Sequence, residues 1–214
     1  METAKAIVFD IDGTLSPEIS WLSLTRDLGA SVDEHVAIYQ SYKEGSISYE
    51  QSKEQLIDLW KSTGNANRVF FQKLFDNLPL DEDALSVVQT LSKEYDVCII
   101  TGSMDMYAKS VADRLDVTQW FANTTLHWQG GELIDMDYEL NQSARKLEQF
   151  LGFCAAKSYR PTDCIVVGDS ENDVGLFDIS KHGVLVGINT SDELGMHSWK
   201  SISKLGDLLA VLNK

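Results

Sequence analysis

The chain of 214 residues is poor in basic residues, in cysteine and in proline. Lysine and arginine number 18 against 33 aspartates and glutamates, a formal net charge of −15. Binding to nucleic-acid phosphates draws on clustered Lys and Arg. No such cluster occurs, so no nucleic-acid partner is expected, and the acidity serves solubility. The three cysteines form no CxxC pair and no Cys/His metal spacing. Cys98 and Cys164 sit in apolar runs, as buried thiols do, which fits a reducing, cytoplasmic setting. The four histidines have no partners at metal-ligand spacing either. No apolar run approaches the roughly 18 residues that cross a bilayer, and the first residues lack a cationic leader with a long apolar segment. Neither a membrane nor a secretory route is expected. With three prolines, no repeats and no low-complexity tract, no linker divides the chain. Its length suits one domain with an insertion, or a medium domain plus a small one.

What is present is a set of short, β-branched apolar runs: Ala6–Phe9, Val97–Ile100, Cys164–Val167 and Val184–Ile188. They do not alternate with polar residues, the mark of strands covered on both faces. Helical patterns lie between them, through Leu85, Val88 and Leu91, through Leu147, Phe150 and Leu151, through Leu176, Phe177 and Ile179, and through Leu205, Leu208, Leu209 and Leu212. Strands alternating with helices predict an α/β fold with a doubly wound parallel sheet. Residues 17–79 differ. They read as amphipathic helices around Trp21 to Leu28, Val36 to Tyr42, Tyr49 to Trp60 and Val69 to Phe75, with no buried strand. The expected organisation is a core of residues 1–16 and 80–214 with a helical cap of residues 17–79. Such a cap overhangs the carboxyl ends of the strands, where open α/β sheets bind ligands. Thr124–Ile134 predicts a hairpin turning at Gly130-Gly131.

Three strands finish in polar residues of one kind: Asp10-Ile-Asp12-Gly13-Thr, Thr101-Gly102-Ser103, and Gly168-Asp169-Ser-Glu-Asn172-Asp173. In a parallel sheet these ends share an edge, and residues i and i+2 on a strand point to the same side. Carboxylates crowded there raise one another's pKa, and a divalent cation relieves them. Mg²⁺ takes one or two carboxylates and leaves room for a substrate phosphate. Thr101, the free N–H groups around Gly13 and Gly102, and a lysine would donate to that phosphate. Lys146, at the start of a helical pattern, is the best-placed lysine.

The set Asp10-x-Asp12-Gly-Thr-Leu, Thr101-Gly-Ser, Lys146 and Gly168-Asp169-Ser-x-Asn172-Asp173 resembles the four motifs of the haloacid dehalogenase superfamily. With the helical insertion after the first motif, the layout is most similar to the phosphoserine phosphatase branch. The resemblance implies Asp10 as nucleophile, forming an aspartyl-phosphate, and Asp12 as general acid and base. It implies Asp10, Asp169 and the backbone carbonyl of Asp12 as Mg²⁺ ligands, and Thr101 and Lys146 as holders of the phosphoryl oxygens. Asp173 would hold Lys146, while Gly13, Gly102, Ser103 and Asn172 would support the phosphate or the metal. The dehalogenase branch lacks the second aspartate, so Asp12 favours phosphate transfer. The implied partner is a small phosphorylated metabolite; neither a monomer nor a dimer is specified.

The cap segment Glu44–Ser52 also resembles phosphoserine phosphatases, with Glu18 and Tyr49 implied near the substrate. Where those enzymes place an arginine for the substrate carboxylate, this chain has Leu56. Lys53, three residues earlier on the same helical pattern, is the cap candidate that would substitute in part, without an arginine's planar two-point grip. Phosphoserine itself is therefore not the expected substrate. Trp21, Trp60, Trp120 and Trp199 are expected to pack, and Trp128 belongs to a hairpin similar to that branch's flap. Three other readings stay open at this stage: a phosphotransferase or mutase using the same aspartyl-phosphate, a non-catalytic Mg²⁺ or phosphate-binding module, and a receiver-like signalling domain. The DxDGT order and the long insertion argue against the last.

Overall fold

The computed structural model describes residues 4–187 and 192–213. Seven strands form one sheet: β1 (Ala6–Phe9), β2 (Asp96–Met104), β3 (Gln119–Gln129), β4 (Glu132–Tyr138), β5 (Cys164–Gly168), β6 (Gly183–Val186) and β7 (Lys200–Ile202). Their order is β4-β3-β2-β1-β5-β6-β7, with β3 and β4 antiparallel and the other neighbours parallel.

The β-branched runs build the centre because each residue has a core to enter. Ile7 and Phe9 join Ile99, Ile165 and Val167 in one cluster, while Ala6 and Val8 join Cys98, Ile100 and Val166 in another. Alternate side chains leave opposite faces of a strand, so one run feeds two layers. Helices α5 (Ala84–Leu91) and α6 (Asp105–Leu115) cover the first face; α7 (Gln142–Lys157) and α8 (Val174–Ser180) cover the second. Register then aligns the strand ends. Phe9 lies opposite Ile99 and Val167, so Asp10 emerges at the edge that carries Thr101 and Asp169.

Four helices fill the stretch between β1 and α5: α1 (Ser20–Leu28), α2 (Val32–Lys43), α3 (Tyr49–Lys61) and α4 (Arg68–Asn77). Among the described residues this stretch contains no strand beyond two isolated bridges, Asp12 to Ser16 and Asn67 to Glu132. Ser48 starts α3 with a capping box, its hydroxyl accepting from Gln51 N–H while the Gln51 side chain accepts from Ser48 N–H. The hairpin of β3 and β4 is pinned to this helical stretch. The Tyr49 hydroxyl donates to Tyr138 O (2.9 Å) and accepts from Tyr138 N–H (3.1 Å), and Arg68 N–H donates to Gly131 O (2.7 Å).

Several expectations change. Leu85 and Leu151 are half exposed, because the inward stripes are Ala84, Val87, Val88 and Leu91 in α5 and Lys146, Gln149, Phe150, Phe153 and Cys154 in α7. β2 continues through Thr101-Gly102-Ser103 to Met104, with a register shift against β3 there. β3 begins five residues before the expected hairpin, at Gln119. β7, three residues at the sheet edge with two of them exposed, carries too little apolar pattern to be foreseen. β6 ends at Val186, and Ile188 lies outside the described residues. The remaining helices are α9 (Asp192–His197) and α10 (Asp207–Val211).

Candidate active site

Asp10 follows β1 directly and is buried. Its Oδ1 accepts from Ile11 N–H (2.7 Å), and its Oδ2 lies 2.9 Å from Lys146 Nζ. Lys146 is not a solvated helix-start residue: its side chain is 0% exposed, because it occupies the inward stripe of α7. Its ammonium also donates to Asp173 Oδ1 (2.7 Å) and Asn172 Oδ1 (2.6 Å). Burial alone would lower the Lys146 pKa, but Asp10 and Asp173 outweigh it and hold the group above its ordinary value.

Asp12 lies two residues on, where the backbone turns through Gly13. Gly13 has φ +74°, and a Cβ there would fall 2.1 Å from Asp169 Oδ2. Glycine is required on both counts, and the close approach sets β1's loop against the end of β5. Asp12 Oδ2 accepts from Ser20 Oγ (2.7 Å), and Ser20 Oγ lies 2.5 Å from Ser103 Oγ. Burial, offset in part by that hydrogen bond and reinforced by Asp10, pushes the Asp12 carboxyl up to about 7. Burial, followed by repulsion from Asp10 and Asp173, does the same for Asp169, also to about 7. Thr101 is buried, its hydroxyl accepting from Ser103 N–H (3.2 Å).

Four carboxylates thus face one ammonium. Oxygens of Asp10, Asp169 and Asp173 come within 4.8 Å of one another. Asp173 is already engaged by Lys146 and by Ser170 N–H (3.4 Å). Asp169 Oδ1 is buried without a hydrogen-bond partner, an arrangement that costs free energy unless something else binds it. Two nearby oxygen donors, one of them orphaned, suit a hard divalent cation.

These groups lie at one end of a cavity of about 510 Å³ whose walls come from the strand ends, α1, α2, α3 and β4. Asp10, Asp12, Gly13, Thr101, Gly102, Ser103, Asp169 and Asn172 line it, as do Tyr49, Lys53 and Leu56. Glu18 does not. Its carboxylate is held by the Ser23 hydroxyl and by Arg26 Nη2 (3.0 Å), which turn it away from the cavity. Lys53 forms an ion pair with Asp135 of β4 (2.8 Å). Trp128 packs edge-on against Phe71 (ring centroids 5.1 Å apart) and does not reach the cavity wall. Trp21 does reach it, while stacking on Trp60 at 6.0 Å.

Sequence reasoning passed over Ser20, Gln142 and the α2 wall of His35, Val36, Tyr39 and Tyr42. The spacing of Val36, Tyr39 and Tyr42 is that of one helix face, indistinguishable in sequence from a core-packing face. His35 Nδ1 lies 2.6 Å from Thr25 Oγ1, which also accepts from Trp60 Nε1–H (2.8 Å). Burial lowers the His35 pKa to about 4. Since that lies below the unfolded value near 6.5, the stabilisation is complete above pH 6.5 and is lost as pH falls toward 4. At pH 4.5 the loss amounts to about 2–3 kcal/mol. Urea unfolding of wild type and His35→Gln at pH 7 and pH 4.5 checks this: wild type should lose that much more than the variant. Equal losses would refute the assignment.

A protein-family description, haloacid dehalogenase-like hydrolase, matches residues 7–178. No curated protein sequence matches the chain. Among solved structures, a phospho-aspartyl intermediate analogue of phosphoserine phosphatase superposes with a TM-score of 0.76 at 22% identity, covering 98% of this chain and 99% of that one. A substrate-bound phosphoserine phosphatase complex gives 0.76 at 22% identity over 100% and 99%. A HAD family hydrolase from Salmonella enterica serovar Typhi gives 0.80 at 19% identity over 98% and 72%. With four-fifths of its length inside the family description, the chain belongs to the haloacid dehalogenase-like hydrolases, and its fold is that of their phosphoserine phosphatase-like branch.

Proposed function

We propose that the chain is a Mg²⁺-dependent phosphatase that hydrolyses a small phosphomonoester, a cytoplasmic metabolite, through an aspartyl-phosphate. The observation that carries this is the buried Lys146 ammonium between Asp10 and Asp173, beside the orphaned Asp169 oxygen at the acidic end of the cavity. A site that concentrates carboxylates around one fixed cation suits a ligand set that brings a divalent ion and a phosphate together.

Asp10 and Asp169, with the Asp12 carbonyl, would hold the metal, and Asp173 would keep Lys146 in place. Bound there, Mg²⁺ would neutralise carboxylate charge and polarise the phosphoryl group. Asp10 attacks phosphorus while the ester P–O bond breaks. Asp12, protonated at first, gives its proton to the departing alkoxide. The resulting Asp12 carboxylate then takes a proton from water. That water attacks phosphorus, and the Asp10–phosphorus bond breaks to release inorganic phosphate. A group that titrates near neutrality suits both halves of this cycle, and Asp12, pushed up to about 7, meets that need. Thr101 and Lys146 would donate to the phosphoryl oxygens. Residues 17–79 would act as the cap, excluding water from the intermediate.

Phosphate release from a panel of phosphomonoesters, with Mg²⁺ and then with EDTA, tests the reading. Turnover should require the metal and return when Mg²⁺ is restored. Turnover that persists in EDTA would remove Mg²⁺ from the mechanism.

A further inference from the structure

The acidic groups occupy only one end of the cavity. The rest of its wall comes from α1, α2, α3 and β4, and it is of another character, with Leu22, Val36, Tyr39, Tyr42, Leu56 and Tyr138 facing the space. Among the described residues, the one charged side chain on the wall beyond Asp10, Asp12 and Asp169 is Lys53, and Asp135 already pairs with it at 2.8 Å. The histidine on the wall, His35, is held neutral by burial.

A phosphorylated amino acid brings an ammonium and a carboxylate into such a space. Each needs a counter-charge there, because burying an unpaired charge is costly. The wall provides neither: Glu18 is tied to Ser23 and Arg26 outside it, and Leu56 is apolar. A quaternary or primary ammonium without a carboxylate would seek aromatic faces. Here the Tyr49 ring already has the Lys53 ammonium 6.0 Å from its centre. Tyr49 also stacks with Tyr138 (6.2 Å, 20°), and Trp21 with Trp60, so one face of each of these rings is occupied by a neighbour. The volume of about 510 Å³ is that of a pocket for a ligand of drug-like size. A short polar alcohol would leave most of it as water against apolar walls, whereas apolar area removed from water there favours binding.

We infer that the leaving alcohol is uncharged and largely apolar, with a body the size of an aromatic ring or larger. This rests on the phosphatase reading. It assigns Tyr39, Tyr42, Leu56 and their neighbours on the wall to substrate selection.

The test compares 2-phenylethyl phosphate, methyl phosphate, phosphoserine and phosphocholine as substrates of the Mg²⁺-loaded enzyme. It adds a tryptophan-fluorescence titration with 2-phenylethyl phosphate, since Trp21 lines the cavity. The expected kcat/KM for 2-phenylethyl phosphate exceeds those for phosphoserine and phosphocholine by at least roughly 30-fold. In Tyr39→Ala, a change at a half-exposed position, the ratio of kcat/KM for 2-phenylethyl phosphate to that for methyl phosphate should fall severalfold. A preference for phosphoserine or phosphocholine would overturn the inference and leave the phosphatase reading standing. Saturable binding of 2-phenylethyl phosphate with no turnover of any ester would overturn hydrolysis and retain the apolar selection. Neither binding nor turnover would overturn both.

Discussion

Asp10→Asn is expected to lower phosphate release by about 10⁴-fold or more while the protein stays folded. The amide is a poor nucleophile and cannot form the acyl phosphate, so no other residue of the site replaces it. The fold should survive because the substitution removes one negative charge from a crowded group. Asp12 and Asp169 are both raised in part by repulsion from Asp10, and Lys146 keeps its contact with Asp173. The measurement is single-turnover phosphate release beside thermal unfolding. Residual activity within tenfold of wild type would exclude Asp10 as nucleophile. Loss of activity with loss of folding would show instead that its role is structural.

Lys146→Met should lose stability as well as activity. Removing one partner of a buried ion pair typically costs about 3–5 kcal/mol, because the remaining charge stays buried without compensation. Here two carboxylates, Asp10 and Asp173, lose their cation at once, at distances of 2.9 and 2.7 Å. In a chain of this length the cost corresponds to a Tm lower by roughly 10 °C in the absence of metal. Methionine fills much of the lysine's volume, so an empty cavity does not account for the loss. The double variant Lys146→Met with Asp173→Asn should recover part of it, since the amide carries no charge to strand. Additive losses in the two single variants would mean that Lys146 and Asp173 are not energetically coupled.

These two residues also mark the boundary of what could be foreseen. Asp10 was legible because a β-branched run ends at it, and such runs form central parallel strands whose carboxyl ends share an edge. Lys146 had a weaker signal. It falls on the same helical stripe as Phe150, Phe153 and Cys154, and a lysine on a buried stripe implies a buried partner. Periodicity cannot name a partner 27 positions away, because pairing across elements depends on how α7 lies on the sheet; only the family resemblance implied Asp173.

The local patterns in the sequence determined the central strand runs, the position of the four inserted helices, the glycine turn of the hairpin and the identity of the acidic cluster. Each follows from periodicity or from a residue's own backbone preference, which act over a few positions. Only the tertiary structure decided the rest. It turned Glu18 toward Arg26, paired Lys53 with Asp135, packed Trp128 edge-on against Phe71, and aimed the tyrosines of α2 into the cavity instead of a core. An amphipathic face looks the same in sequence whether a neighbouring helix or a ligand covers it. What covers it is set by the packing of α2 against α3 and by the hairpin held to α3 through Tyr49.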